Sequence, residues 1–285
     1  MVEAVKEKID NMKILIIGSQ GMLGSAVLRA LPHAESLDKK DIDITKRNRV
    51  LQKISSFRPD IIINCAAYTQ VDKAEKEREL CYEVNCKGAR HLAEAAKKVG
   101  AILIHISTDY VFDGNEKDGY NEDAKTNPIN FYGRTKADGE KEITKILDTY
   151  YIIRTSWLFG KGGKNFVDTI KEKCLRDKNL AIVDDQKGSP TYTEDLASFI
   201  GEVCKNMNNY PFGIYHITNK GTCTWLTFAK EIKKMIKAKC AIKKITSAEL
   251  QAPAKRPSHS ILRNNKAKPL RSWKDALKAY LEESS

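Results

Sequence analysis

Residues 13–24 read Lys13-Ile14-Leu15-Ile16-Ile17-Gly18-Ser19-Gln20-Gly21-Met22-Leu23-Gly24. An uninterrupted apolar, β-branched run meets three glycines at GxxGxxG spacing and passes into a helical pattern over 22–31. A continuous apolar run reads as a strand buried on both faces, which is the habit of parallel sheets. Glycine is required where the backbone turns sharply, where it approaches a pyrophosphate and where helix packs on strand. The helix start then offers free N–H groups and the positive end of its dipole to phosphate. Three glycines alone make only a turn; with a strand before them and a helix after, they predict dinucleotide binding.

Working outward, the same alternation repeats. A short strand at 35–37, a helix over 46–56 and a strand at 61–64 are followed by a long amphipathic stretch, 74–98, and a strand at 101–106. A loop rich in Asp, Asn and Gly spans 113–130, and a helix over 131–147 feeds a strand at 151–154. This order predicts a doubly wound parallel α/β sheet, Rossmann-like, with helices on both faces. Beyond Trp157 the pattern loosens: helix 164–177, strand 180–183, helix 192–205, strand 213–217, helix 225–238, and a Pro- and Lys-rich tract at 252–270. The expected division is an exposed leader, 1–11, an NAD(P)-binding domain, 12–157, and a smaller substrate-binding lobe, 158–285, some of whose segments return to the main sheet.

Charge is divided unevenly. Of 49 Lys+Arg and 37 Asp+Glu, residues 1–150 hold 24 of each, so the whole excess, 25 − 13 = +12, lies in the second half. A basic half beside a neutral one suggests an anionic partner for the former, while the lysines at 233, 234, 237, 243 and 244 read most simply as a solvated face. No nucleic-acid motif accompanies the charge. The longest apolar runs are far short of the roughly 20 residues a membrane span needs. Residues 1–11 lack the apolar core of a signal peptide. The seven cysteines form an odd set without a CxxC pair and read as buried or free thiols in a reducing cytoplasm, and the five histidines show no metal spacing. His105 in particular reads as a core residue.

Three further features carry chemistry. Asp38 lies 38 − 18 = 20 residues after the first glycine, where a carboxylate binds the adenosine ribose of NAD; Lys39 and Lys40 beside it suit the 2′-phosphate of NADP, so both cofactors stay open. Tyr132-Gly133-Arg134-Thr135-Lys136 sets a phenol and an ammonium on one helical face, where the cation is expected to lower the phenol pKa for proton exchange with a carbonyl. Ser107-Thr108-Asp109-Tyr110-Val111-Phe112 ends the fourth strand, where open α/β sheets place their ligands. A hydroxyl there can hydrogen-bond the oxygen that Tyr132 protonates.

These motifs, with Asn64-Cys65-Ala66-Ala67-Tyr68-Thr69-Gln70-Val71-Asp72-Lys73-Ala74-Glu75, Arg154-Thr155-Ser156-Trp157, Asp185-Gln186-Lys187-Gly188-Ser189-Pro190-Thr191 and Arg256-Pro257, resemble the extended short-chain dehydrogenase/reductases, most closely their dTDP-4-dehydrorhamnose reductase branch. The resemblance covers about residues 12–283. It implies reduction of the C4 ketone of a nucleotide-diphosphate sugar, dTDP-4-dehydro-L-rhamnose, by NADH or NADPH. Carried onto this chain, Tyr132 is the proton donor, Lys136 holds the cofactor ribose, and Thr108 orients the carbonyl. Gly18, Gln20, Gly21, Met22, Leu23 and Gly24 face the pyrophosphate, Asp38 the ribose, Asp43 and Ile44 the adenine, and Ala66, Ala67, Tyr68 and Thr69 the nicotinamide side. Thr69, Val71, Thr108, Asp109 and Trp157 border the sugar. Arg256, with Lys255 and Arg263, is expected near its diphosphate. Some members carry a Glu two residues past the third glycine for a magnesium site between subunits; here Ala26 stands there, so no metal is expected, and a monomer or homodimer is. A 4,6-dehydratase needs Asp-Glu after the Thr, whereas Tyr110 follows Asp109. A 4-epimerase and a non-catalytic nucleotide-binding regulatory subunit remain alternatives, the latter disfavoured by the intact Thr108, Tyr132 and Lys136 set. Membrane and nucleic-acid partners are not expected.

Overall fold

The structure, a computed structural model, describes residues 12–283, so the expected leader at 1–11 lies outside the described residues. Its centre is a six-stranded, all-parallel sheet. The strands are β1 (Ile14–Ile17), β2 (Glu35–Leu37), β3 (Ile61–Asn64), β4 (Ile102–Thr108), β5 (Tyr150–Thr155) and β10 (Gly213–His216), in the order β10-β5-β4-β3-β1-β2. The strand expected at 213–217 thus returns to the main sheet, pairing Ile214 with Ile152 and His216 with Arg154.

Helices cover both faces because successive strand residues point to opposite sides. Ile14, Ile16, Ile61, Ile63 and Ile104 pack on one face beneath α1 (Met22–Ala30) and α6 (Thr193–Lys205). Leu15, Ile17, Ile62, Leu103 and Ile152 pack on the other beneath α2 (Arg47–Phe57), α3 (Gly88–Val99) and α4 (Phe131–Ile146). The amphipathic stretch expected over 74–98 is broken: a turn at Val71–Ala74, a short helix at Arg78–Tyr82 and a π-helical segment at Glu83–Lys87 lead into α3. The π segment turns Asn85 inward, where it bonds the backbone of Tyr68 and the Thr135 hydroxyl.

The second lobe has its own core, built on α5 (Phe166–Arg176), α7 (Trp225–Met235) and α8 (Trp273–Glu283). Strand pairs β6 (Leu158–Phe159) with β9 (Thr191–Tyr192), β7 (Asn179–Val183) with β12 (Ala241–Ile245), and β8 (Lys187–Gly188) with β11 (Cys223–Thr224) surround it. A correction to the cysteine reading belongs here. Cys174 and Cys240 form a disulfide with 5.2 Å between their Cα atoms, while Cys65, Cys81, Cys86, Cys204 and Cys223 are free. The two lie 66 residues apart, and the parallel register of Leu180 with Ile242 brings the end of α5 to the start of β12. Local spacing carries no sign of such a pair. The tract at 252–270 crosses back onto the main domain, where Pro257 and Ser258 lie so close to Gly114 that a Cβ there would sit 2.6 Å from the Ser258 nitrogen.

Candidate active site

A cleft of about 720 Å³ opens over the C-terminal ends of β1, β3, β4 and β5, and a second cavity of about 370 Å³ lies beside it toward β2. The first is lined by Gly21, Met22, Leu23, Gly24, Ala67, Thr69, Val71, Thr108, Asp109, Tyr132, Lys136 and Trp157. The second takes Gly18, Gln20, Gly21, Asp38, Asp43, Ile44, Ala66, Ala67 and Tyr68. Every residue expected at the site falls in one or the other except Arg256 and its neighbours Lys255 and Arg263.

The glycine loop has the form a dinucleotide requires. Gly18 stands at φ +82°, where a Cβ would lie 2.8 Å from the Ala66 nitrogen, and a Cβ on Gly24 would fall 2.1 Å from the Gly18 carbonyl oxygen. Gly21 caps α1 with no side-chain hydrogen bond. The start of the helix is therefore open to an anion. Both Asp38 oxygens are engaged, one accepting from the Ser19 hydroxyl and the other from the Gln20 N–H, each at 2.9 Å. Asp38 thus braces the loop as well as lining the second cavity, and Lys39 lines it too.

At the centre of the cleft the chain is locked by close packing. The Asn130 side chain caps α4 by accepting from the Gly133 N–H at 2.7 Å, and a Cβ on Gly133 would lie 2.0 Å from the Tyr110 carbonyl oxygen. The first turn of α4 is thereby pressed onto the residues after β4, with the Tyr110 and Tyr132 rings edge to face at 5.9 Å. The Thr108 hydroxyl lines the cleft with Tyr132 and donates to the Asp109 carboxyl at 3.0 Å. It also accepts from the Tyr110 N–H.

One turn along α4, the buried Lys136 ammonium donates to the Ile106 carbonyl at 2.6 Å and stands 3.1 Å from His105 Nε2. The Asn64 side-chain amide lies 2.9 Å from His105 Nδ1. Burial and the adjacent Lys136 charge hold His105 neutral, far below its ordinary range. Burial lowers the Lys136 pKa to about 8, against the opposing pull of Glu140.

The phenol departs from expectation. Burial, with the Asp109 charge adding to it, pushes the Tyr132 pKa well up, against the pull of the Thr108 hydrogen bond. The Lys136 ammonium makes its contacts with Ile106 and His105. Tyr132 is therefore firmly protonated at neutral pH, as a proton donor must be. Burial raises Asp109 to about 7; Ser260 and Thr108 pull it down, yet its Oδ2 atom is buried without a hydrogen-bond donor.

Beneath these groups Arg154 is buried against Glu140, Nη2 to Oε2 at 2.7 Å and Nε to Oε1 at 3.0 Å. Ser107 donates to the same carboxylate, and His216 Nε2 stands 3.3 Å from Arg154 Nη1. The network ties β4, α4, β5 and β10 together directly under the cleft.

Arg256 stands apart from the other expected residues. Its guanidinium forks onto Asp72, Nη1 to Oδ1 at 3.0 Å and Nη2 to Oδ2 at 2.8 Å, and it lies outside the lining of both cavities. Lys255 and Arg263 are also exposed outside them, with Arg263 donating to the Asp118 carbonyl. The reason is topological: the 252–270 tract is fastened to the flank of the main domain. Among the described residues, the lysines that line the two cavities are Lys39, Lys136 and Lys164. Lys164 follows Gly162 and Gly163, which pass over Ser25 and Met22 at the start of α1. Sequence reasoning passed over Lys164, Asn85 and Trp225, gave Asn64 no role of its own and read His105 only as a core residue, since each acquires its place only from distant elements.

A glycine loop at one end of a cleft, a Thr–Tyr–Lys set at its centre and an apolar wall at the other end define a nicotinamide-dependent reductase of the extended short-chain type. The chain belongs to the RmlD substrate-binding domain family, whose model matches residues 12–285. It is 40% identical over 276 residues to dTDP-4-dehydrorhamnose reductase of Streptomyces griseus, covering 92% of this chain and 91% of that protein. It is 38% identical over 281 residues to the spore coat polysaccharide biosynthesis protein SpsK of Bacillus subtilis (strain 168), covering 96% and 98%. The crystal structure of dTDP-4-dehydrorhamnose reductase from Bacillus anthracis in complex with NADP matches with a TM-score of 0.92 at 40% identity, over 95% of this chain and 99% of that one.

Proposed function

We propose that this protein reduces the C4 ketone of dTDP-4-dehydro-L-rhamnose to the alcohol, giving dTDP-L-rhamnose, at the expense of NADPH or NADH. The observation that carries the reading is the convergence of Thr108, Tyr132 and Lys136 in one cleft, between the open start of α1 and the wall at Val71 and Trp157. The glycine loop, with Lys39 at the adenosine end, would hold the cofactor, which supplies the hydride. Lys39 in the cavity lining, beside an Asp38 already occupied by the loop, favours NADPH.

Chain groups supply position and a proton. Thr108 holds the ketone oxygen toward Tyr132, and the phenol gives up its proton as negative charge builds on that oxygen. Lys136, anchored to Ile106 and His105, keeps a cation beside the ribose. Purified protein should consume the absorbance of reduced cofactor when given the 4-keto sugar nucleotide, and Tyr132→Phe should lower kcat by at least about 10²-fold. An active Phe variant would remove Tyr132 from its role. We also propose a cytoplasmic location, where sugar nucleotides and reduced cofactor are both available, and a monomer or homodimer with no metal requirement; no helix among the described residues is long and apolar enough to cross a membrane.

A further inference from the structure

Trp157 is held in an unusual way. It stands at φ +48°, a left-handed conformation that a bulky residue keeps only when its surroundings over-determine it. Those surroundings are visible. Its indole lies flat on Trp225, with ring centroids 3.6 Å apart and planes 8° from parallel. Gly188 closes on its edge so tightly that a Cβ there would sit 2.7 Å from Trp157 Cε2. Trp225 is fixed in turn: its indole N–H donates to Gln186 Oε1 at 3.1 Å, and Phe166 packs on its ring at 4.5 Å. Both indoles line the 720 Å³ cleft, and both are only partly buried.

We infer that Trp225 is a positioning residue for the sugar: stacked on Trp157, it fixes the plane on which the apolar face of a 6-deoxy sugar packs. This rests on the reductase reading above. A core-filling tryptophan would need neither an open face in the cleft nor a partner held in a left-handed backbone. The Asp185-Gln186-Lys187-Gly188 motif acquires a purpose as well, since Gln186 anchors one ring and Gly188 admits the other. Because Trp225 opens α7 in the second lobe while Trp157 follows β5 in the first, the wall exists only when the two lobes are joined.

The test compares dTDP-L-rhamnose with dTDP alone by calorimetry, using the full chain, and reads the ring pair by the exciton couplet that stacked indoles give in circular dichroism. Trp225→Ala should weaken dTDP-L-rhamnose about tenfold while leaving dTDP and NADPH within about twofold, with the couplet gone. Equal weakening of dTDP would mean that the rings serve the nucleotide, and an unchanged dTDP-L-rhamnose affinity with the couplet gone would mean that Trp225 is only core; either overturns the inference. Should the Ala variant fail to fold, Trp225→Phe decides. A loss of about threefold for the sugar nucleotide alone supports the inference, and no loss overturns it. Keto-sugar turnover by the unaltered protein is scored separately, so the reductase reading can fail while the binding split stands, and the reverse.

Discussion

Two titrations give individual residues measurable consequences. Lys136 is buried and titrates at about 8, against an ordinary 10.5. Its cation is therefore lost as pH rises past about 8, and the KM for reduced cofactor should climb there; in Lys136→Met that KM should be high and flat with pH. An alkaline rise surviving in the Met variant would assign it to another group. Asp109 runs the other way. Its pKa is raised from 3.8 to about 7, so between those values the native state binds more protons than the unfolded chain, and stability is lost as pH rises through that window. Asp109→Asn should flatten this fall and melt above the unaltered protein at alkaline pH, as thermal unfolding across a pH series will show. An Asn variant that parallels the unaltered protein at every pH would mean that Asp109 is not the buried acid its surroundings suggest.

Among elements, the contact of α4 with β4 and β5 matters most, because it sets Tyr132 and Lys136 against Thr108. Most of that contact was legible: the strand, the helix and the Tyr–Lys spacing follow from apolar runs and the 3.6-residue period. The Arg154–Glu140 pair was not, since nothing local marks a buried charge that will find its partner 14 residues away. Both side chains are almost wholly inaccessible, at 2% and 5% exposure. Removing one partner strands a buried charge, so Arg154→Met should cost about 3–5 kcal/mol in urea unfolding, and adding Glu140→Leu should recover much of it. Additive losses in the double variant would show that the two charges do not depend on each other.

For the whole molecule, the main question is how the basic half serves the cleft. The +12 excess suggested cations gathered around a diphosphate, but Arg256 is spent on Asp72, which also accepts the Ala254 N–H. That pair fastens the 252–270 tract to the turn that follows β3. If it is a clasp, Asp72→Asn and Arg256→Met should raise the sugar-nucleotide KM together and by similar factors. A rise confined to the Arg256 variant, with Asp72→Asn binding as well as the unaltered protein, would return Arg256 to the phosphate.

The sequence by itself determined the parallel sheet and the glycine loop, because each is written in local periodicity or fixed spacing; Thr108, Tyr132 and Lys136 were singled out by the family resemblance of the motifs that hold them. Only the tertiary structure decided which charges face the cleft, that Cys174 meets Cys240, that Lys136 meets His105 and Ile106, and that Trp225 backs Trp157. Those outcomes depend on side chains brought together from segments far apart in the chain, and on burial, which shifts a titration only after the fold has excluded water.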